Sequence, residues 1–352
     1  MAQRKKRRKR FQISDLPSYL RHVNLNAAGI DIGSDQHWVA VPEGRDEVSV
    51  REFGAFTTDL VALADWLTQC GITTVAMEAT GVYWIPLFEL LEQRGFDVKL
   101  VDARRVKNVP GRKSDVLDCQ WLQQLHTFGL LAGAFRPADQ LCILRGYMRQ
   151  REMLVQASSM HIQHMQKALQ QMNLLLHNVV SDITGVTGMK ILKAIIDGER
   201  NPEVLAKHRD ARCQHSAATI AKSLVGNYRE EHLFALTQAV SLYETYQAKI
   251  ADCEAAVARH LSSQPQCTDD PPASQKRSQA KDFMRAEVDM RAQLFKLTGV
   301  DLFSIAGLGA DTLLTLGGEV GFDMTPWKSE KHFTSWLAVC PVTKKSGGKI
   351  LT

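Results

Sequence analysis

Residues 27–41 read Ala-Ala-Gly-Ile-Asp-Ile-Gly-Ser-Asp-Gln-His-Trp-Val-Ala-Val, two apolar runs on either side of the triplet Gly33-Ser34-Asp35. Apolar runs separated by turn-forming residues predict a β-hairpin. The first run contains Asp31, and a charge inside an apolar strand is costly unless it has a partner. A hydrogen bond from the turn is one partner for this carboxylate, and a bound cation is another. The stretch therefore predicts the start of a sheet and a candidate functional acid.

Outward from this hairpin, the first third of the chain alternates between β-rich and helical segments. Predicted strands lie at about 51–56, 73–77 and 97–101, and predicted helices at about 59–70, 83–94 and 114–127. Strands that come first and are followed by a helix–strand–helix order predict a mixed sheet covered by helices. The fold class predicted for this part of the chain is therefore α/β.

Three further carboxylates stand where these predicted elements begin or end. Glu78 directly follows the strand at 73–77, and Asp115 and Asp118 lie in the first turn of the last helix. Hard divalent cations need oxygen ligands that converge from separate elements, and a pair of such ions can drive phosphodiester chemistry. Each acid alone has a simpler explanation, because carboxylates also stabilise the positive end of a helix dipole. Together with Asp31 they predict a divalent-metal site that acts on nucleic acid.

The basic residues of the chain are unevenly distributed. Residues 4–10 carry seven positive charges and no acid, whereas the remaining 36 basic residues are outnumbered by 38 acidic ones. The net charge of +5 therefore comes from this arm, which favours polyanions such as nucleic acid over the alternatives of a solvated tail or a membrane contact. A second basic segment precedes the predicted helix at 114–127, and its candidate nucleic-acid-binding residues are Arg104, Arg105, Lys107, Arg112 and Lys113.

A long heptad pattern begins at Leu141. Twelve positions repeat with alternating steps of three and four residues, and ten of them are apolar or contain sulfur: 141, 144, 148, 151, 155, 158, 162, 165, 169, 172, 176 and 179. Such a seam predicts a coiled coil, which Gly185 and Gly188 are expected to end. A second helix with similar spacing at 236–257 folds back on the first or pairs with another subunit, and both arrangements fit the pattern. The polar, Pro-rich residues 262–282 predict a linker.

The last segment of the chain contains two candidate phosphate-binding features. Gly307 and Gly309 lie between apolar runs, which fits the turn of a helix-hairpin-helix whose backbone amides hold a phosphate. An ordinary packing corner between two helices fits equally well. Ser346 is a candidate nucleophile, although a simple polar turn is the more common structure for its sequence. Its neighbours include further candidate nucleic-acid contacts, namely Lys344, Lys345, Gly347 and Lys349.

Three blocks of this sequence resemble a known family. Gly29-Ile-Asp31-Ile-Gly-Ser, Met77-Glu78-Ala-Thr-Gly81-Val-Tyr-Trp and Lys113-Ser-Asp115-Val-Leu-Asp118 are similar to the acidic blocks of the DEDD transposases. These are RuvC-like enzymes of bacterial insertion sequences and are related to Piv-type DNA invertases. The order of the heptad region, the Ile305–Leu314 segment and Ser346-Gly347 also matches, so the resemblance extends over about residues 27–352.

The resemblance implies an RNase H-like (RuvC-like) domain in which Asp31, Glu78, Asp115 and Asp118 bind Mg²⁺, in a site with enough carboxylates for two ions. It implies a mainly α C-terminal transposase domain in which Ser346 attacks DNA and becomes transiently linked to it. It also implies homo-oligomers, dimers or tetramers, that are guided by a structured noncoding bridge RNA. The expected division is a basic arm at 1–24, the RuvC-like domain at 25–138, the coiled coil at 139–261, the linker at 262–282 and a partial transposase domain at 283–352.

Other functions fit the same residues. The family continues through a further basic segment after its serine, so the resemblance implies a C-terminally truncated chain. Two alternatives are therefore a junction-resolving nuclease that uses only the four acids and water, and an inactive remnant that binds nucleic acid. No apolar stretch is long enough to span a bilayer and the N-terminus lacks the apolar core of a signal peptide, so we expect a cytoplasmic, nucleoid-associated bacterial protein.

Overall fold

The hairpin at 27–41 forms the centre of a five-stranded mixed sheet. The computed structural model describes residues 24–101, 115–136, 139–268, 289–340, 345–346 and 349–350. The strands are β1 (Ala27–Ile32), β2 (Gln36–Ala40), β3 (Val50–Gly54), β4 (Thr74–Glu78) and β5 (Asp97–Val101), in the order β3-β2-β1-β4-β5. β2 runs antiparallel to β1 and β3, whereas β4 runs parallel to β1 and β5. The predicted mixed sheet is thus confirmed.

Helices cover both faces of this sheet. They are α1 (Thr57–Gln69), α2 (Ile85–Gln93) and α3 (Asp115–Thr127). Apolar side chains of α1 and α2, such as Leu63 and Leu87, share one buried core with Ile30 of β1 and Met77 of β4. α3 packs on the opposite face against β1. The strand order and the two helical layers are consistent with an RNase H-like α/β domain.

Two long helices dominate the second part of the chain, which is a compact unit that begins at Pro137. They are α4 (Asp139–Gln171) and α8 (Glu230–Ser262). Arg151 forms an ion pair with Glu254 at 3.0 Å, and Gln247 donates a hydrogen bond to Ser158 at 2.9 Å. Since these pairs run in opposite directions along the two helices, the second helix folds back on the first within one chain. Supercoiling of the pair stays a prediction.

The first long helix ends earlier than the heptad pattern predicts, so the expected end at Gly185 and Gly188 is wrong. α4 stops at Gln171, and Asn173 takes a left-handed conformation with φ of 57°. The amide of Leu174 then donates to the carbonyl of Leu169 at 2.9 Å, a hydrogen bond typical of a helix that ends at a left-handed residue. Asparagine tolerates this conformation, which explains why the helix ends without a glycine.

The residues that lie between the two long helices in the sequence form a helical lobe. It contains a 3₁₀ turn at Leu176–Asn178 and the helices α5 (Val186–Ile196), α6 (Pro202–Ala206) and α7 (Ala217–Ser223). Leu176 is fully buried in this lobe, so it contributes to a core although it lies outside α4. Apolar spacing alone therefore marks buried residues correctly beyond the end of the helix.

The C-terminal part is mainly helical, as the resemblance implies. It contains α9 (Met290–Thr298), a 3₁₀ turn at Leu302–Ser304, α10 (Ala310–Val320), α11 (Glu330–Trp336) and the paired short strands β6 (Lys345–Ser346) and β7 (Lys349–Ile350). α10 packs against α4, where its Asp311 accepts a hydrogen bond from Arg151 at 2.8 Å. Within the described residues, no helix has the length and apolar character needed to cross a membrane.

Candidate metal and nucleic-acid site

Asp31 and Glu78 lie side by side on neighbouring parallel strands. Ile30 of β1 is in register with Met77 of β4, so the next residue of each strand brings these two acids opposite one another. Adjacent strands are separated by about 5 Å, which is a short distance between two carboxylates. Both side chains are half-buried. The edge of the sheet at which β1, β4 and β5 end, here called the carboxyl edge, therefore has two adjacent acids.

Both acids point to the face of the sheet that α3 covers. Side chains alternate along a strand, so Asp31 shares a face with Gly29, and Glu78 shares a face with Thr74. A Cβ atom built on Gly29 would lie 2.4 Å from the carbonyl oxygen of Cys119 in α3. The hydroxyl of Thr74 lies 2.8 Å from Nε2 of His126 at the other end of α3. The helix thus lies directly over the face that presents the two acids.

The direction of α3 brings its first turn to the carboxyl edge. Its last turn contacts the beginning of β4 through His126, and its middle lies over Gly29, so its beginning lies near the end of β1. Burial, followed by the negative charge of Asp31, raises the pKa of the Cys119 thiol to about 12, and Asp118 contributes in the same direction. The carboxylates of Asp31 and Asp118 are therefore both close to Cys119, which directly follows Asp118 in the sequence.

The first turn of α3 supplies the other two acids. Asp115 is exposed and Asp118 is half-buried, and their spacing of three residues gives them a common side of the helix. All four predicted acids therefore belong to one region of the first unit, at the carboxyl edge. Asp31 lies in an apolar strand, where burial of a lone charge is costly. It is adjacent to Glu78 on the sheet and close to Cys119 of α3, so it links the strand pair to the helix.

The donor set suits a hard divalent cation. Four carboxylates from three elements are the oxygen ligands that Mg²⁺ takes, whereas the neighbouring Cys119 thiol stays protonated because its pKa is about 12. Among the described residues, no three His, Cys, Asp or Glu side chains are close enough together to hold a metal ion. The acids fit the cation in chemistry and location, and ligation requires their side chains to move closer together.

The predicted basic contacts lie mostly outside the described residues. These are Arg104, Arg105, Lys107, Arg112, Lys113, Lys344 and Gly347. In the sequence, the first five lie between Val101, the last residue of β5, and Asp115, the first residue of α3.

The glycine turn at 307–309 is open to solvent. Gly307 has a left-handed φ of 86°, and Gly309 is the N-cap of α10. A Cβ atom at either position would meet no heavy atom within 4 Å, so a phosphate has room to approach the backbone here. The preceding element is a short 3₁₀ turn rather than a helix, which makes the connection from α9 longer than a simple helix-hairpin-helix.

Ser346 lies in a tight antiparallel pairing of the second unit. Its backbone pairs with Lys349, and Lys345 pairs with Ile350, which leaves only residues 347 and 348 between the two strands. The serine is thus the last strand residue before two glycines, a position at which a backbone can approach a phosphate closely.

The acid site has a pH-sensitive support at the far end of α3. His126 is fully buried, and burial, assisted by Lys99 and opposed by Asp97, lowers its pKa to about 4 from 6.5. Because the folded protein holds this histidine neutral, its contribution to stability is complete above pH 6.5 and is lost as the pH falls towards 4. We expect the free energy of unfolding to fall by about 2 kcal/mol more between pH 7 and 5 than in a His126→Gln variant.

Urea unfolding of both proteins at the two pH values measures this difference. A His215→Gln variant, which changes an exposed histidine, is the control and is expected to keep the pH dependence of the original chain. Equal pH dependence in His126→Gln and the original chain would contradict the role of His126.

Two family models match the chain. A model of DEDD transposases of the IS110 type matches residues 28–174, a range that includes all four acids and the whole of α4. A model of transposases of the IS116/IS110/IS902 family matches residues 301–351, a range that includes the glycine turn and Ser346. No curated protein matches the chain. The two matches follow the same order as the acidic blocks and the serine segment in the sequence.

Proposed function

Because the chain belongs to the IS110-type DEDD transposases, which are DNA transposases and recombinases, we propose that it cuts and rejoins DNA by a metal-dependent reaction with a serine nucleophile. The observation that best supports this proposal is the position of Asp31 and Glu78 on adjacent strand ends, with a helix packed at Gly29 over the face that presents them and directed so that its first turn, with Asp115 and Asp118, lies towards the same edge. Phosphodiester chemistry needs such a set of oxygen ligands, and the fold supplies it from three elements.

We assign Asp31, Glu78, Asp115 and Asp118 as the residues that would hold Mg²⁺. When bound there, the cation supplies charge stabilisation for a scissile phosphate. The strand pair fixes the backbone of Asp31 and of Glu78, so that their carboxylates are presented at adjacent positions of the sheet. α3 is held on the same face by its backbone contact with Gly29, so that the remaining two acids keep their place.

Ser346 is the proposed nucleophile. Its hydroxyl oxygen would form a bond to phosphorus while one phosphorus–oxygen bond of the DNA backbone breaks. The proton lost by the serine balances the one gained by the departing deoxyribose oxygen, and the new ester conserves the energy of the broken bond for rejoining. This exchange of one ester for another requires no further co-reactant. It suits an enzyme that joins strands again rather than one that only hydrolyses them.

Basic residues would hold the nucleic acids. The charges at 4–10, the segment with Arg104, Arg105, Lys107, Arg112 and Lys113, and the lysines around Ser346 offer sequence-independent contacts with phosphates. We propose that a structured guide RNA supplies sequence specificity by base pairing and that the active form is a homo-oligomer. Such a protein would act in the cytoplasm on the bacterial nucleoid.

A Ser346→Ala variant tests the nucleophile directly. The original chain, incubated with end-labelled DNA from the flanks of its own gene, the adjacent noncoding RNA and Mg²⁺, is expected to form a protein–DNA adduct that survives denaturation. Ser346→Ala is expected to lose this adduct and strand exchange while keeping its affinity for the DNA. Ser335→Ala, an exposed serine on α11, is the matched control and is expected to form the adduct normally.

The same experiment separates the alternatives. Metal-dependent cutting without an adduct, and with full activity in Ser346→Ala, would favour a junction-resolving nuclease. Binding without any cutting by the original chain would favour a remnant that only binds nucleic acid. Either result overturns the proposed serine mechanism.

A further inference from the structure

The carboxyl edge exposes apolar side chains as well as acids. Phe56, Val82, Tyr83 and Leu117, here called the apolar rim, are exposed by 81%, 66%, 49% and 50%. Exposed apolar groups that gather at one place mark a binding surface more often than scattered ones do. An acidic metal site alone gives no reason for apolar side chains of this size to surround it.

Each member of the apolar rim is tied to the carboxyl edge by the fold. Val82 and Tyr83 follow Glu78 by four and five residues, after Ala79 extends the ladder with a hydrogen bond to Val101 at 3.1 Å. Phe56 follows Ala55, whose amide donates to the carbonyl of Asp35 in the β1–β2 turn at 3.1 Å. Leu117 lies between the two acids of α3.

The ring of Tyr83 lies beside Gly81 in a loop that Trp84 anchors. Gly81 takes a left-handed φ of 53°, and a Cβ atom at this position would lie 3.5 Å from the tyrosine ring. Trp84 donates from its indole nitrogen to the carbonyl of Gly81 at 3.2 Å and packs edge-on against Phe88 of α2. The loop is thus fixed from below by a half-buried tryptophan while Tyr83 presents its ring to solvent.

We propose that Tyr83 stacks on an unpaired base next to the scissile phosphate, so that the enzyme favours DNA that is locally unpaired where it is cut. The inference rests on the proposed DNA-cutting function, because that function brings a DNA backbone to the carboxyl edge. Tyr83 follows Glu78 by only five residues in the loop that leaves the end of β4, so the ring and the acids belong to the same edge of the sheet. Aromatic rings bind unpaired bases by stacking, whatever the base.

A base suits this surface better than an apolar protein segment does. The apolar side chains lie at the same edge of the sheet as Asp31, Glu78, Asp115 and Asp118, and a protein that covered this edge would bury carboxylates together with its apolar contacts. A nucleotide has its phosphate at the metal-holding acids and its base beyond them, which matches the arrangement of acids and ring along the loop from Glu78 to Tyr83.

Two DNA duplexes of the same length test the inference with the full chain. One is fully paired, the other has a short mismatched stretch, and both contain the fluorescent base 2-aminopurine in that stretch. Binding is measured with Ca²⁺ in place of Mg²⁺, because Ca²⁺ also takes oxygen ligands, and each sample is checked for intact DNA at the end of the measurement. We expect the original chain to prefer the mismatched duplex and to quench its 2-aminopurine. Tyr83→Ala is expected to lose the quenching and to bind this duplex about tenfold more weakly, with unchanged affinity for the paired duplex.

Two further variants separate stacking from simple packing. Tyr83→Phe keeps the aromatic face and is expected to behave as the original chain. Tyr83→Leu keeps an apolar side chain against Gly81 without an aromatic face, and is expected to behave as Tyr83→Ala. Full binding by Tyr83→Leu, or an equal loss for both duplexes in Tyr83→Ala, would overturn the inference.

Cleavage assays on the same proteins distinguish this inference from the proposed function. Metal-dependent cutting by a chain whose Tyr83 variants bind both duplexes normally would overturn the stacking and leave the transposase mechanism in place. A Tyr83-dependent preference for the mismatched duplex in a chain that never cuts DNA would overturn the mechanism and support the stacking.

Discussion

Replacing Asp31 by asparagine is expected to lower the rate of metal-dependent DNA cutting by about a thousandfold. An amide keeps the size of the side chain but removes the negative charge that would hold a cation at the centre of the acid group. Asp31 is the strand residue beside Glu78, and it is close enough to Cys119 to raise the pKa of that thiol, so its charge acts on both the strand pair and α3. The loss of its charge therefore weakens the site more than the loss of exposed Asp115 does.

Single-turnover cleavage of labelled DNA over a range of Mg²⁺ concentrations measures this effect, and a gel-shift assay measures binding. We expect binding of Asp31→Asn to stay within about twofold, because phosphate contacts by basic residues dominate affinity. Asp65→Asn is the matched control, since Asp65 is an exposed acid on α1 that pairs with Arg94. Cutting by Asp31→Asn at the rate of the control would remove Asp31 from the chemistry.

Gly29→Ala is expected to destabilise the first unit by about 3 kcal/mol and to reduce cutting at the same time. The new methyl group would lie 2.3 Å from the backbone nitrogen of Gln123 and 2.4 Å from the carbonyl oxygen of Cys119. Both atoms belong to the backbone of a regular helix, which yields far less easily than a flexible side chain. α3 must therefore move away from β1, and its acids at 115 and 118 move with it.

Hydrogen exchange of the amides in β1 and α3 measures the loss of stability at its source. Gly133→Ala is the control, because a Cβ atom there meets nothing nearer than 4.0 Å and the residue belongs to the same unit. If the amides of β1 and α3 exchange as slowly in Gly29→Ala as in the control, the close contact between α3 and β1 is contradicted. The two readouts are expected to fall together, since one contact supports both the fold and the acids.

The sheet was predictable because its signals are local. Turn residues at 33–35 separate β1 from β2, and apolar runs bounded by polar residues predicted β4 and β5 within one residue of their ends. An apolar stripe likewise predicted α1, and a capping serine at position 114 predicted the start of α3. Each of these signals depends on residues close together in the chain, and sequence patterns report that range well.

The arrangement of the long helices was not predictable in the same way. The heptad seam fits a partner in the same chain as well as one in another subunit, because both bury the same stripe. The choice depends on distant pairs, such as Arg151 with Glu254, that no local pattern reveals. Arg151 even breaks the apolar seam, and its ion pairs with Glu254 and Asp311 compensate for the burial of its charge.

The sequence singles out the four candidate acids, but it does not reveal which residues hold α3 against the sheet. Asp31 stands out in sequence because its strand is apolar, and the helix start identifies Asp115 and Asp118. The role of Gly29 is different, since its missing side chain matters only once α3 lies across it. The 49% exposure of Tyr83, in the loop that follows Glu78, likewise becomes known only from the folded chain. The roles of these two residues depend on burial and on close contacts between separate elements, which the sequence does not show.

The two ends of the lobe between α4 and α8 lie next to each other. The amide of Asn227 donates to the carbonyl of Met172 at 3.0 Å, so some fifty intervening residues begin and end at neighbouring points. A chain closed in this way can lengthen, shorten or exchange the enclosed stretch without shifting anything downstream, because the cost of closing a loop grows only slowly with its length. Relatives with very different inserts at this point should therefore still superpose in their two long helices.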